Sequence, residues 1–99
     1  MSLDIVRNKE IRGQILKILD LTNFSNLRDK IVLNALRDMG FNVAFTELIA
    51  QMKYLEQKEY IECRKLKDKI KNGMRVAKLT AKGKDLLEGN IEEDPGVTL

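Results

Sequence analysis

The sequence predicts one α+β domain with a three-helix core, a β-hairpin and a C-terminal helix. Apolar residues recur at helical spacing in three segments before residue 59. Two short segments with period-two alternation then flank Asn72-Gly73, a dipeptide that suits a tight hairpin turn. Thr80 follows the second segment and is a good N-cap for a last helix. A chain of 99 residues is long enough for one such domain.

The first two helices are predicted at residues 4–21 and 27–39. The stripe that indicates the first helix consists of Ile11, Ile15, Ile18 and Leu19. Ser25 or Asn26 is the expected N-cap of the second helix, and Gly40 occupies the position of a left-handed residue after its end. The residues expected to form its buried stripe are Leu27, Ile31, Ala35, Leu36 and Met39.

The third helix is predicted at residues 44–58, after a connection so short that it implies a helix–turn–helix. The side chains expected to point inward are Phe45, Leu48, Met52 and Leu55, with Ile49 on the flank. Those expected to face outward are Thr46, Glu47, Ala50, Gln51, Lys53, Tyr54, Gln57 and Lys58.

The hairpin strands are predicted at residues 60–64 and 75–79. Pairing around Asn72-Gly73 would place Leu66 opposite Leu79, but the alternation of Ile61 and Cys63 does not continue to Leu66. We therefore expect a bulge or a disordered hairpin tip. The domain is expected to span residues 1–90, with its last helix at residues 81–88, and residues 91–99 to form an acidic, extended or mobile tail.

Positive charge is concentrated around the hairpin. From Arg64 to Lys84 nine cationic residues face one acid, a local net charge of +8 in a chain whose total is +3. A basic hairpin on a small helical domain is typical of contact with a polyanion, most often nucleic acid. The competing interpretation is that lysines on an exposed edge strand prevent aggregation, although two or three would suffice for that.

Composition excludes several kinds of active site. The chain has no histidine and a single cysteine, which rules out the common zinc ligand sets and histidine-based acid–base chemistry within one chain. We therefore expect neither an enzyme nor a bound cofactor. Cys63 alternates with Ile61 and is expected in the core. No apolar run approaches the length of a membrane span, and no secretory signal is visible, so we expect a cytoplasmic protein.

Two segments resemble the winged helix-turn-helix family. Residues 55–61 are similar to the exit from the third helix in MarR-like and PadR-like regulators, and residues 78–84 to the Leu-Thr-x-x-Gly step into the final helix. Over nearly its whole length the chain also resembles short, ArsR-like winged-helix proteins of Mu-like bacteriophages and prophages. The positions of that outline include Leu27-Arg28-Asp29, Ala35-Leu36, Gly40, Leu55, Ile61, Ala77-Lys78-Leu79-Thr80, Gly83 and Pro95-Gly96-Val97. Ala44 departs from the serine that this outline has at the start of the third helix, so Asn42 is an alternative N-cap.

The resemblance implies double-stranded DNA as the partner and a role in transcription regulation. The third helix would be the recognition helix, and the hairpin would be the wing that holds phosphates. The candidate recognition residues are Thr46, Glu47, Gln51, Lys53 and Tyr54. The candidate wing residues are Arg64, Lys65, Lys67, Lys69, Lys71, Arg75 and Lys78.

Two alternatives stay open at this point. Residues 44–59 carry a net charge of −1, which is unusual for a helix pressed against phosphates. The second hypothesis is therefore a protein–protein adaptor in phage assembly or host takeover, whose partner is a phage or host protein. A homodimer formed through terminal helices is compatible with either function.

Overall fold

The computed structural model describes residues 3–66 and 74–99, and it has the predicted α+β architecture. Its elements are α1 (Leu3–Asp20), β1 (Leu27–Arg28), α2 (Asp29–Asp38), α3 (Phe45–Gln57), β2 (Ile61–Lys65), β3 (Arg75–Leu79) and α4 (Ala81–Glu88). The strands form one antiparallel sheet in the order β1-β3-β2. Within these described ranges, no helix has the length and apolar character needed to cross a bilayer.

The core lies between α1, the other helices and one face of the sheet. The predicted stripe of α1 is confirmed, since Ile11, Ile15 and Leu19 are completely buried and Ile18 is 4% exposed. The side chains that meet this stripe from other elements include Leu36, Leu48, Leu55, Ile61, Leu79 and Leu86. The apolar stripe of α1, which repeats every three or four residues, thus contributes to the centre of the core.

The start of α2 differs from the prediction. Leu27 and Arg28 form strand β1, which pairs with Ala77 and Val76 of β3. The helix therefore begins at Asp29, and Arg28 is its N-cap, without a capping bond from its side chain. Ser25 and Asn26 are not the caps, because the chain before Asp29 is drawn into the sheet.

The buried face of α2 also differs from the prediction. Val32, Leu33 and Leu36 are buried, whereas the predicted core residues Ile31 and Met39 are 48% and 49% exposed. The predicted stripe is wrong at those two residues, because the buried face follows a different helical spacing that starts from the buried Asp29. Gly40 has a φ of +95°, which confirms the left-handed position after the helix.

The hairpin strands lie where the sequence predicts them, but in a different register. Ile61 pairs with Leu79 and Lys65 with Arg75, so the predicted pairing of Leu66 with Leu79 is wrong. In the observed register Ile61 and Leu79 both enter the core, which a one-residue slip would prevent. The Asn72-Gly73 turn and the predicted bulge or disordered tip lie outside the described residues.

The last helix follows the prediction closely. The Thr80 hydroxyl accepts a hydrogen bond from the Gly83 N–H at 3.1 Å, and Gly89 ends the helix with a φ of +75°. A β-carbon at Gly83 would lie 2.2 Å from the carbonyl oxygen of Tyr60, so this glycine allows α4 to approach the backbone just before β2.

Residues 91–99 contain no helix or strand, but they pack on the body of the domain. Val97 is only 7% exposed, and the Thr98 N–H donates to the Lys9 carbonyl of α1 at 3.1 Å. A β-carbon at Gly13 would lie 1.7 Å from the Thr98 carbonyl oxygen. The glycine in the middle of α1 is thus explained by the close passage of the C-terminal backbone.

Candidate nucleic-acid interface

Helix α3 exposes one continuous stripe. Leu48, Met52 and Leu55 are buried against the core, as predicted, whereas Phe45, also predicted to point inward, is 37% exposed at the start of the helix. The exposed side chains that recur at spacings of four, three and four residues are Thr46, Ala50, Lys53 and Gln57. We call these four residues the α3 stripe. Two of its members, Thr46 and Lys53, are predicted recognition residues. The other two, Ala50 and Gln57, are predicted to face outward but not to contact DNA.

Two arginines hold the turn that leads into α3. Arg7 of α1 donates to the carbonyl oxygen of Asn42 at 2.5 Å, and Arg37 of α2 donates to that of Val43 at 3.2 and 3.1 Å. Ala44 is the N-cap, and its N–H donates to the Glu47 carboxylate at 3.3 Å. Asn42 is therefore not the cap, and Glu47 compensates for the missing capping side chain at Ala44.

Glu47, a predicted recognition residue, is already engaged within the protein. Its carboxylate lies 2.6 Å from Arg7 Nη1. The hydrogen bond from Arg7 and then that from the Ala44 backbone lower the pKa of Glu47. Contact with a base would have to compete with this ion pair. The pair also offsets one of the negative charges that argued against α3 as a DNA-facing helix.

Gln51 and Tyr54 do not lie on the α3 stripe. Gln51 is 8% exposed, and its side-chain oxygen accepts from Arg12 Nε at 2.7 Å. The Arg12 guanidinium lies 3.7 Å from the centre of the half-buried Tyr54 ring. The predicted outward orientation of Gln51 is wrong because α1 packs along this side of α3 and supplies a buried hydrogen-bond partner.

A groove of about 290 Å³ separates α3 from the hairpin. Its apolar part is formed by Ile49, Met52 and Cys63. Its charged residues are Lys53, Glu56, Arg64, Lys65 and Arg75, four cations against one carboxylate. Lys53 therefore belongs both to the α3 stripe and to this groove. The local net charge of +3 makes the groove a favourable place for an anion.

The predicted wing residues differ in their availability. Arg64 and Lys65 are exposed and form no ion pair with any residue in the described ranges. Lys78 pairs across the hairpin with Glu62 at 3.1 Å. Arg75 is half-buried beside the groove. The remaining predicted wing residues, Lys67, Lys69 and Lys71, lie outside the described residues.

Glu56 and Cys63, which both line the groove, are joined by a hydrogen bond. The Glu56 carboxylate accepts from the Cys63 N–H at 3.0 Å, which occupies a backbone donor on the edge strand β2. Burial, followed by the charge of Glu56, raises the pKa of the Cys63 thiol to about 11. A thiol held in this protonated form is a poor nucleophile. No cluster of three or more metal-ligating side chains occurs among residues 3–66 and 74–99.

No protein-family model matches the chain, and no curated protein matches it. The resemblance to winged-helix proteins of phages therefore stays a prediction from the sequence.

Proposed function

We propose that this protein is a winged-helix protein that binds double-stranded DNA through the α3 stripe and the cationic groove beside it. The observation that carries the proposal is the placement of Lys53, Arg64, Lys65 and Arg75 around one groove, next to the exposed side of α3. The element order, with an antiparallel hairpin after the third helix, is compatible with this fold.

The two parts of the surface would have different tasks. Arg64 and Lys65, on strand β2, would contact phosphates, which fix the position of the protein without reading the sequence. Thr46, Lys53 and Gln57 project from α3 and have the hydrogen-bonding groups needed at base edges in a major groove. Sequence preference would then come from α3, and most of the affinity from the hairpin.

The first experiment measures binding to a random duplex at several salt concentrations. Replacing both Arg64 and Lys65 by alanine should reduce the steepness of the salt dependence by about two units, since each neutralised phosphate contributes about 0.9. Lys17→Ala removes an exposed cation of α1 that lines neither the groove nor the α3 stripe, and it is the matched control. Undetectable binding by the unmodified protein at low salt would refute the proposal.

The second experiment examines sequence preference with a randomised duplex library. Gln57→Ala should relax the preference at one or two base pairs while leaving the salt dependence unchanged, because an amide side chain neutralises no phosphate. Asn34→Ala removes an exposed amide side chain from α2, outside the α3 stripe, and is the matched control. If the selected sequences are the same for the unmodified protein and Gln57→Ala, this residue does not read bases.

A protein-binding adaptor is the second candidate, favoured by the exposed apolar residues at the start of α1. Leu3, Ile5 and Val6 are 85%, 49% and 37% exposed. A partner that covers them would be a phage or host protein, or a second copy of this chain. Analytical ultracentrifugation of the unmodified protein and of a Leu3→Ser, Ile5→Ser double variant tests whether a second copy of this chain is the partner. A dimer lost in the variant would support it, and a monomer in both would exclude it.

A further inference from the structure

Residues 94–98, which we call the C-terminal strap, cross the surface where α1 and α3 meet. At one end of the strap the Asp94 carboxylate accepts a hydrogen bond from the Tyr60 hydroxyl. At the other end the Thr98 N–H donates to the Lys9 carbonyl. Val97 between them is buried in the core. The strap therefore contacts both helices rather than leaving the domain after α4.

Arg12 connects α1, α3 and the strap through a single side chain. It donates from Nε to Gln51 on α3 and from Nη1 to the Gly96 carbonyl of the strap at 3.1 Å. The same guanidinium lies over the ring of Tyr54, one helical turn after Gln51. A planar cation that stacks and donates in its own plane holds an aromatic ring and two acceptors at once.

Asp94 contacts the chain at the C-terminal end of α3. Its side chain is 7% exposed, lies 3.5 Å from Lys58 Nζ, and accepts from the Tyr60 hydroxyl at 2.7 Å and the Gly96 N–H at 2.8 Å. Burial raises the pKa of Asp94, but the bonds from Tyr60 and Gly96 and the nearby Lys58 outweigh it and lower the pKa overall. The carboxylate is thus held ionised between α3 and the strap.

The residues of α3 and its C-cap held in this way share one side. Gln51, Tyr54 and Lys58 each follow a member of the α3 stripe by one position, which is about 100° around a helix. We infer that Arg12 and the strap fix the rotation of α3 about its own axis, and that Arg12 is a positioning residue for the α3 stripe. The effect of Arg12 on DNA binding rests on the proposed function, whereas its effect on the orientation of α3 does not.

The test compares Arg12→Ala with Lys17→Ala, which removes the same charge from the same helix away from the strap. Amide hydrogen exchange is measured without DNA. We expect exchange of the α3 amides in Arg12→Ala to accelerate by about tenfold, while α4 amides change little. Equal exchange at α3 in the two variants would overturn the inference. Asp94→Asn keeps the side-chain shape and serves as the second variant if Arg12→Ala does not fold.

DNA binding supplies an independent measurement. If Arg12 acts through α3, Arg12→Ala lowers affinity and broadens the selected sequences, but leaves the salt slope unchanged. A slope reduced by about one unit would mean that Arg12 itself contacts a phosphate, and this would overturn its positioning role. Arg12→Lys should restore little of the lost affinity, because lysine keeps the positive charge but lacks the planar guanidinium group with its several N–H donors. If the unmodified protein binds no DNA, the proposed function fails, while hydrogen exchange still decides whether the strap holds α3.

Discussion

Replacing Gly13 by alanine separates helix propensity from tertiary packing at one position. Alanine is preferred over glycine in a helix interior by about 1 kcal/mol, so local propensity predicts a more stable protein. The new β-carbon, however, would lie 1.7 Å from the Thr98 carbonyl oxygen, a backbone atom that cannot rotate aside. Either the strap or α1 must therefore move.

The cost follows from what the strap contributes. If it lifts away, Val97 loses its burial, worth about 1.5–3 kcal/mol for a side chain of this size. The hydrogen bond from Thr98 to Lys9 contributes about 1 kcal/mol more. After subtraction of the propensity gain, we expect Gly13→Ala to lower the free energy of unfolding by about 1.5–3 kcal/mol.

Urea denaturation followed by circular dichroism measures this change. Asn34→Ala is the matched control, because residue 34 is exposed in the middle of α2 and gains helix propensity there. We expect the control to be as stable as the unmodified protein or slightly more stable. A Gly13→Ala protein that unfolds at the same or a higher urea concentration than the unmodified protein would refute the packing argument.

Three further predictions concern single side chains. Burial, with the neighbouring carboxylate, raises the pKa of Tyr60 to about 12. Because the unfolded chain loses this proton at a lower pH than the folded protein, the free energy of unfolding should fall by about 2 kcal/mol between pH 10 and 12. Tyr60→Phe should make that fall smaller. Thr80→Ala removes the cap of α4 and should cost about 1–2 kcal/mol in urea denaturation, while Thr46→Ala changes little. At pH 8 the Cys63 thiol should react with iodoacetamide about a hundredfold more slowly in the folded protein than in urea, and equal rates would contradict its burial.

Local patterns determine much of the fold. The stripe of α1, the strand positions of the hairpin, and the Thr80 and Gly89 ends of α4 all depend on residues within a few positions of one another. Spacing at helical or strand period and the chemistry of helix ends are sufficient there. The concentration of positive charge near the hairpin is likewise visible without coordinates.

The tertiary structure decides what these local rules leave open. Gln51 satisfies the helical period as an outward residue, yet Arg12, 39 positions earlier, takes it into a buried hydrogen bond. Leu27 and Arg28 pair with β3 ahead of α2, and Ile61 pairs with Leu79 in a register that buries both side chains. Each outcome depends on a partner distant in the chain, and the geometry of that contact exists only once the core has assembled.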